Sequence, residues 1–398
     1  MKTVLSILLT ALLLLSGAAA AESRAVIPDL EIPEKTIPDN AALALVRDMK
    51  AGWNLGNTFD AVNCTWLQNP LDYESGWCGV KTSEKLIGAL QAAGFRTLRI
   101  PVSWHEHMSE DFLLDADWLD RVYEVASWAY GRGMYVILNI HHDNEKGFYY
   151  PDSEHAESSG AYMRAVWSQL AEKFADWDEH LIFEGINEPR LKDTRYEWWW
   201  TAGDPACRDA MEQIVRLNQV FVDTVRAAGG KNGDRYLMVP AYDANPDYAC
   251  ADAFRLPEDS AENRIILSVH AYTPYDFALE QPGISRFSLE NKAQLSSVSG
   301  FLDRLYRKYV AQGIPVVVGE FGAMEKQGNL QDRVDWVSWY VASARARGIP
   351  CCWWDNHVFE GTGERFGLFD RTTGNCVNPE ILEAIMKYSG EDAQHEHD

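Results

Sequence analysis

The sequence predicts an α/β protein, a (β/α)8 TIM barrel folded as a single domain. Three observations predict it. Eight short apolar runs rich in β-branched residues occur at residues 52–55, 97–102, 135–140, 181–186, 236–240, 265–269, 316–319 and 351–354. Each is of the kind that a parallel sheet buries on both faces. Helical periodicity separates most of these runs, and a polar or charged group ends nearly every one. A doubly wound sheet also alternates strands with helices. The count of eight and the polar strand ends favour the barrel, whose functional groups gather at the C-terminal ends of the strands.

The chain opens with Met1-Lys2, an apolar run from Val4 to Leu15, and the small residues Ser16-Gly17-Ala18-Ala19-Ala20-Ala21. A positive start, a short apolar run and small residues predict a secretory signal peptide over residues 1–21, cleaved near Ala20 or Ala21. Residues 22–39 carry Pro28, Pro33 and Pro38 among charges and are expected to form an extended, poorly ordered leader. The barrel is assigned to residues 40–390. Within it, Met163, Val166, Leu170 and Phe174 follow helical spacing. So do Met211, Ile214, Val215, Val222 and Val225 before Gly229-Gly230, and Val298, Phe301, Leu305 and Tyr309 before Gly313. The last helix is expected to open at Asn378-Pro379, an N-cap followed by proline in the first turn. The polar residues 391–398 are expected to fray. No Ser/Thr/Pro-rich linker, repeat or accessory binding module is read, and a monomer is expected.

Composition excludes some functions. Lys and Arg number 36 against 59 Asp and Glu, a net charge of -23, which repels a phosphate backbone and argues against nucleic acid. No segment after the first reaches about 18 apolar residues, so no membrane span is expected once the signal is removed. A secreted protein, extracellular or periplasmic, is predicted. Its seven cysteines can then form disulfides, with Cys64–Cys78 and Cys207–Cys250 as candidate bridges and the adjacent Cys351 and Cys352 as buried thiols. No Cys/His zinc spacing is present.

The strand ends carry the chemistry. In order they are Trp53-Asn54-Leu55-Gly56-Asn57; Arg99, continuing to Trp104; His141-His142-Asp143; Asn187-Glu188-Pro189; His270-Ala271-Tyr272; Gly319-Glu320-Phe321-Gly322; and Trp353-Trp354-Asp355-Asn356. In a barrel, Glu188 and Glu320 face each other across the mouth. Such a carboxyl pair suits glycoside hydrolysis, one protonated to donate to the leaving oxygen and one ionised to attack the anomeric carbon. Trp104 and Trp354 offer faces for sugar rings. Plainer readings exist for each part. A single strand-end glutamate is more often a solvated charge. His141-His142-Asp143 is also a possible metal site. Trp198-Trp199-Trp200 is a sugar platform or, with slightly more weight, a loop packed on its own tryptophans.

These segments together resemble glycoside hydrolase family 5, the large cellulase family of clan A, over roughly residues 40–388. They are Gly52-Trp-Asn-Leu-Gly-Asn57, Leu98-Arg-Ile-Pro-Val-Ser-Trp104, Asn139-Ile-His-His-Asp143, Gly185-Ile-Asn-Glu-Pro189, Val269-His-Ala-Tyr272, Gly319-Glu-Phe-Gly322 and Trp353-Trp-Asp-Asn356. The opening and closing segments look most like subfamily 4. The resemblance implies that Glu188 is the acid/base and Glu320 the nucleophile, supported by Arg99, His141, Asn187, His270 and Tyr272. It implies substrate contacts at Asn54, Trp104, His142, Trp354 and Asn356. It also implies a secreted, retaining endo-β-1,4-glucanase that acts on cellulose and related β-glucans, xyloglucan or mixed-linkage glucan among them, and needs no metal or other cofactor. Where His357 stands, these relatives often carry glycine. The short carboxyl separation of a retaining enzyme is expected, with Arg99, His270 and Tyr272 around Glu320, and with Glu188 less compensated and higher in pKa. A β-mannanase or xylanase of the same clan, and a carbohydrate-binding barrel without catalysis, are the alternatives.

Overall fold

Eight parallel strands close on themselves in chain order: β1 (Ala51–Leu55), β2 (Thr97–Ile100), β3 (Tyr135–Asn139), β4 (Leu181–Glu184), β5 (Leu237–Pro240), β6 (Ile265–His270), β7 (Val316–Phe321) and β8 (Cys351–Asp355). The structure is a computed structural model that describes residues 24–390; the expected signal peptide and polar tail lie outside the described residues. Closure is made by β1 against β8, from Ala51↔Cys351 to Leu55↔Asp355. Every expected strand is present within two residues of its expected limits. The strands are legible because they are buried on both faces, by barrel interior within and helices without.

Long helices cover the barrel at Glu84–Ala92, Ala116–Tyr130, Ala156–Lys173, Pro205–Ala227, Lys292–Lys308, Leu330–Arg345 and Pro379–Ser389. The connection from β5 to β6 differs, since its only α-helix among the described residues is Pro246–Ala249. Helix 205–227 shows why these segments coil. Asp204 caps it through the Ala206 N–H, Pro205 sits in its first turn, and Met211, Ile214, Phe221, Val222 and Val225 are buried along one face. Asn378 occupies the N-cap position of the last helix, but its side chain makes no capping bond. Proline in the first turn marks that start without it.

The leader corrects one expectation. It is extended, as its prolines require, but it is strapped down. The Lys35 N–H donates to Ala346 O at 2.8 Å, and the Leu30 N–H donates to Tyr388 Oη at 3.0 Å. Ile27, Leu30, Ile32 and Ile37 pack against the core. The cysteines correct another, because all seven are free. Cys78 Sγ donates to Glu74 O and Val80 O, and Cys207 is buried beside Trp199 O. Cys351 and Cys352 are buried thiols. No helix among the described residues is long and apolar enough to cross a membrane.

One packing contact fixes the end of β4. A Cβ on Gly185 would lie 2.7 Å from Phe221 Cδ1. Trp167, tilted against Phe183 and Phe221, donates from Nε1 to Gly185 O at 3.1 Å. Two outer helices therefore press directly on the backbone that leads into Asn187 and Glu188. Gly185→Ala is expected to cost about 1–3 kcal/mol by overpacking, read as a lower urea midpoint at unchanged m-value.

Candidate active site

Arg99 organises the barrel mouth. Its side chain is fully buried on β2. Nε donates to Glu184 Oε2 at 2.7 Å, Nη1 to Asn54 Oδ1 at 2.9 Å and to Glu320 Oε1 at 2.6 Å, and Nη2 to Asn187 Oδ1 at 2.7 Å. One planar guanidinium thus fixes side chains on β1, β4 and β7 and on the loop after β4. Glu184, equally buried, also accepts from Ser268 Oγ and from Asn139 Nδ2. These carboxylates hold the guanidinium pKa above its usual value although burial opposes them.

Both oxygens of Glu320 are held. Oε1 takes Arg99, and Oε2 accepts from Tyr272 Oη at 3.0 Å. Burial, then the charge of Glu320, raises the Tyr272 phenol well above its usual range, so it remains a donor. Register shifts near Val269/His270 and between Val318 and Phe321 interrupt the ladders on both sides of this strand end. Such irregularities re-aim side chains at barrel rims. Gly319 permits the approach, since a Cβ there would sit 3.1 Å from His270 Nε2.

His270 joins the two glutamates. Its Nδ1 lies 2.7 Å from Glu188 Oε1 and 3.6 Å from Glu320 Oε1. Its Nε2 is 3.4 Å from Arg99 Nη2, and a guanidinium only donates. The ring proton therefore belongs on Nδ1, donated to Glu188. One donor atom each from Glu188, His270 and Glu320 falls within a 4.8 Å cluster.

Glu188 is not the uncompensated, raised carboxyl that was expected. Burial works to raise the Glu188 carboxyl, but the His270 hydrogen bond, followed by positive charge that includes Arg190, carries it below the usual range. Arg190 Nη1 donates to Glu188 O at 2.9 Å and lies 3.7 Å from Glu188 Oε2. Glu188 is thus charge-compensated too, by a residue two positions along the chain.

His141, His142, Asn187, Glu188, His270, Tyr272, Glu320 and Trp354 all line one cleft of about 1200 Å³. Burial holds His141 well below its usual pKa and His142 at about 4, so both are neutral hydrogen-bonding groups. Trp354 stacks near-parallel to His141, with centroids 5.8 Å apart, while Trp353 turns outward and donates to Phe366 O.

Three expected contacts lie elsewhere. Asn54 is fully buried and bonds Gly319 O and Cys352 O while accepting from Arg99, so it braces the arginine. Trp104 is fully buried with Nε1 on Asn139 O and has no face to offer a ring. Asn356 is spent on Glu364 O and the Val358 and Phe366 N–H groups. Asp143 does not join His141 and His142 in one metal-sized group; the carboxylate with an oxygen within 4.8 Å of a nitrogen of both rings is that of Asp60. Asp143 Oδ1 is taken by the Trp104 and His105 N–H groups and the His105 ring. His141 Nδ1 accepts from Asn139 Nδ2, which leaves the ring proton on Nε2.

The structure adds residues that sequence reading missed. Glu184 was visible as a charge inside an apolar run, Leu181-Ile-Phe-Glu184. Arg190, Asp243, Glu364 and Trp77 line the cleft from loops, where no periodicity marks them. The three tryptophans divide. Trp198 and Trp199 are 59% and 65% exposed at the cleft, with the Arg190 guanidinium 4.1 Å from the Trp198 ring centroid. Trp200 is buried on Cys207 O.

A family model described as cellulase (glycosyl hydrolase family 5) matches residues 57–360. The chain belongs to glycosyl hydrolase family 5. It is 41% identical over 360 residues to endoglucanase 1 of Ruminococcus albus, covering 90% of this chain and 84% of that one. A family 5 lichenase from Caldicellulosiruptor sp. F32 superposes at a TM-score of 0.89 with 53% identity, covering 92% of this chain and 100% of that one. A broad-specificity endoglucanase from Ruminococcus champanellensis, solved with bound cellotriose, superposes at 0.81 with 39% identity, over 88% and 100% of the two chains.

In this family 5 barrel, His357 has φ +59°, which is why glycine suits the position. Its ring faces Phe359 and Phe369 O and is not among the cleft-lining groups. The arginine hub gives the sharper test. Arg99→Met would leave Glu184 buried beside an apolar group. The expected cost is about 3–5 kcal/mol of stability, measured by urea unfolding. Arg99→Lys keeps the charge but loses the planar fork, and is expected to lower kcat at least about tenfold while recovering part of that stability.

Proposed function

We propose that this family 5 chain is a secreted endo-β-1,4-glucanase that hydrolyses by double displacement with net retention, Glu320 attacking and Glu188 serving as acid and then base. The observation that carries the mechanism is the closeness of the two carboxylates, one oxygen from each within 4.8 Å of the other. Retaining enzymes hold their carboxyl groups about 5–5.5 Å apart, whereas inverting enzymes leave roughly 6.5–9.5 Å for a water. Glu320, with Arg99 and Tyr272 on its two oxygens, is aligned as the nucleophile. Glu188 protonates the departing oxygen, then takes a proton from the water that opens the glycosyl-enzyme. Asn187 has its Oδ1 committed to Arg99, which leaves its Nδ2 donor for the sugar 2-hydroxyl.

The cleft supports a polymer bound mid-chain. It is large, and it offers indole faces from Trp77, Trp198, Trp199 and Trp354. Such faces suit neutral sugar rings, as does a site whose histidines 141 and 142 are uncharged. Relatives named endoglucanase and lichenase make β-glucan the substrate class. A mannanase or xylanase would use the same pair, so initial rates on carboxymethylcellulose, barley β-glucan, xyloglucan, glucomannan and xylan decide the preference.

Glu188→Ala is expected to lower polysaccharide turnover by about 10²–10⁴-fold, with azide restoring turnover of substrates bearing good leaving groups. Glu320→Gln is expected to lose at least as much, without azide rescue of the natural stereochemistry. Proton NMR of the first product is expected to show the β-anomer. An α-anomer, or a Glu188→Ala variant with normal polysaccharide activity, would overturn the assignment.

A further inference from the structure

Arg190 stands two residues after Glu188, and both its backbone and its side chain are fixed. Asn144, a buried side chain in the loop after β3, clasps the backbone: the Arg190 N–H donates to Asn144 Oδ1 at 3.0 Å, and Asn144 Nδ2 donates to Arg190 O at 3.0 Å. The guanidinium lies over the Trp198 ring, 4.1 Å from its centroid. Its Nη1 donates to Glu188 O at 2.9 Å and stands 3.7 Å from Glu188 Oε2. Its Nε makes no hydrogen bond and lies 3.6 Å from Glu197 Oε1. The fork is therefore turned toward Glu188 and not squared onto Glu197, where a bidentate pair would bind it best. An indole face and a backbone carbonyl hold the cation in that place.

We infer that Arg190 is a positioning residue for proton donation: clamped on Trp198, it fixes Glu188 for the leaving oxygen and supplies the permanent charge that the Glu188 carboxylate faces as its proton departs. The inference rests on the reading of Glu188 as acid/base.

The chemistry needs such a charge. In the first step the Glu188 O–H bond breaks, the glycosidic oxygen takes the proton, and its bond to the anomeric carbon opens while Glu320 forms the new bond to that carbon. Glu188 is left as a carboxylate. A cation already in place stabilises it without reorganising, which makes Glu188 the stronger acid. Arg190 keeps its charge at any working pH. The other close partner, His270 with Nδ1 at 2.7 Å, can lose its charge. The remaining neighbours do not supply a cation. His142 after β3 is neutral, and burial keeps the Tyr149 and Tyr272 phenols protonated. Glu320 on β7, and Asp243 and Glu364 in the loops after β5 and β8, are like charges when ionised. Burial opposes ionisation of Glu188 too, yet His270 and then Arg190 draw its carboxyl down.

Arg190→Gln tests this, because glutamine keeps a donor for Glu188 O and loses the charge. The readout is kcat/KM against pH on barley β-glucan and on 2,4-dinitrophenyl β-cellobioside, whose leaving group departs without protonation. On β-glucan the alkaline limb reports Glu188 losing its proton. Without the cation that pKa rises, so the limb is expected to move alkaline by about one unit. The plateau is expected to fall roughly threefold, because a weaker acid donates. On the aryl substrate both are expected to stay in place. Arg190→Lys keeps the charge and is expected to return the limb most of the way. Trp198→Leu removes the clamp but no charge, and is expected to move the limb the same way by less. An unmoved alkaline limb in Arg190→Gln, or an equal loss on both substrates at every pH, would overturn the inference. If Arg190→Gln does not fold, an unmoved limb in Trp198→Leu overturns it instead. Failure of the acid/base reading looks different: it is normal polysaccharide activity in Glu188→Ala, whatever Arg190→Gln does.

Discussion

The site depends on one buried guanidinium. Arg99 spends its donors on Glu184, Asn54, Glu320 and Asn187, and so couples three strands and the β4 loop through a single rigid plane. Burying such a charge is expensive unless geometry and partners are both good. Here two carboxylates share one cation, and Ser268, Asn139 and Tyr272 supply the remaining donors. The arrangement has little slack. Moving any strand end would unpair a buried charge, so the mouth of the barrel is held rigid before substrate arrives, the condition electrostatic preorganisation needs.

Much of this was legible in the chain. The strands announce themselves as apolar runs because a barrel buries both faces, and their ends carry the polar groups because only there does the interior meet solvent. What failed was depth. Asn54 and Trp104 sit in the right segments, but whether a side chain reaches the cleft or stops beneath it depends on tilt and on neighbouring bulk. Trp104 lies under Asn139 O, a relation no local spacing encodes. Glu184 was passed over for the complementary reason. A lone acid inside an apolar run reads as noise until its buried partner, Arg99, 85 residues away, is placed beside it.

Loops were the second blind region. Trp77, Arg190, Asp243 and Glu364 reach the cleft from segments without periodicity, and the left-handed turn at Asp243 has none of the glycine that usually signals one. The cysteines make the same point. Spacing made Cys64 and Cys78 look like partners, yet Cys78 satisfies itself on backbone carbonyls. Glu188 was misjudged as uncompensated because its partners, His270 and Arg190, come from another strand and from the following loop.

The leader strap has a practical corollary. It crosses the segments that precede β7 and β8, at Asn40 against Gly313 O, Lys35 against Ala346 O and Ile37 against Gly348, and it is laced to helix 379–389 through Tyr388 and Lys387. The last helix therefore ends at the floor of the barrel, at the opposite pole from the cleft, whereas the strap climbs beside helices 330–345 and 379–389 until Val26 meets Gln331 and Arg24 meets Glu380 and Glu383 near their starts, toward the cleft side. A tether, surface anchor or partner fused after helix 379–389 would project away from the polysaccharide, leaving an immobilised molecule with its working face toward the fibre, whereas one joined directly to Arg24 would start level with the cleft-side ends of the outer helices.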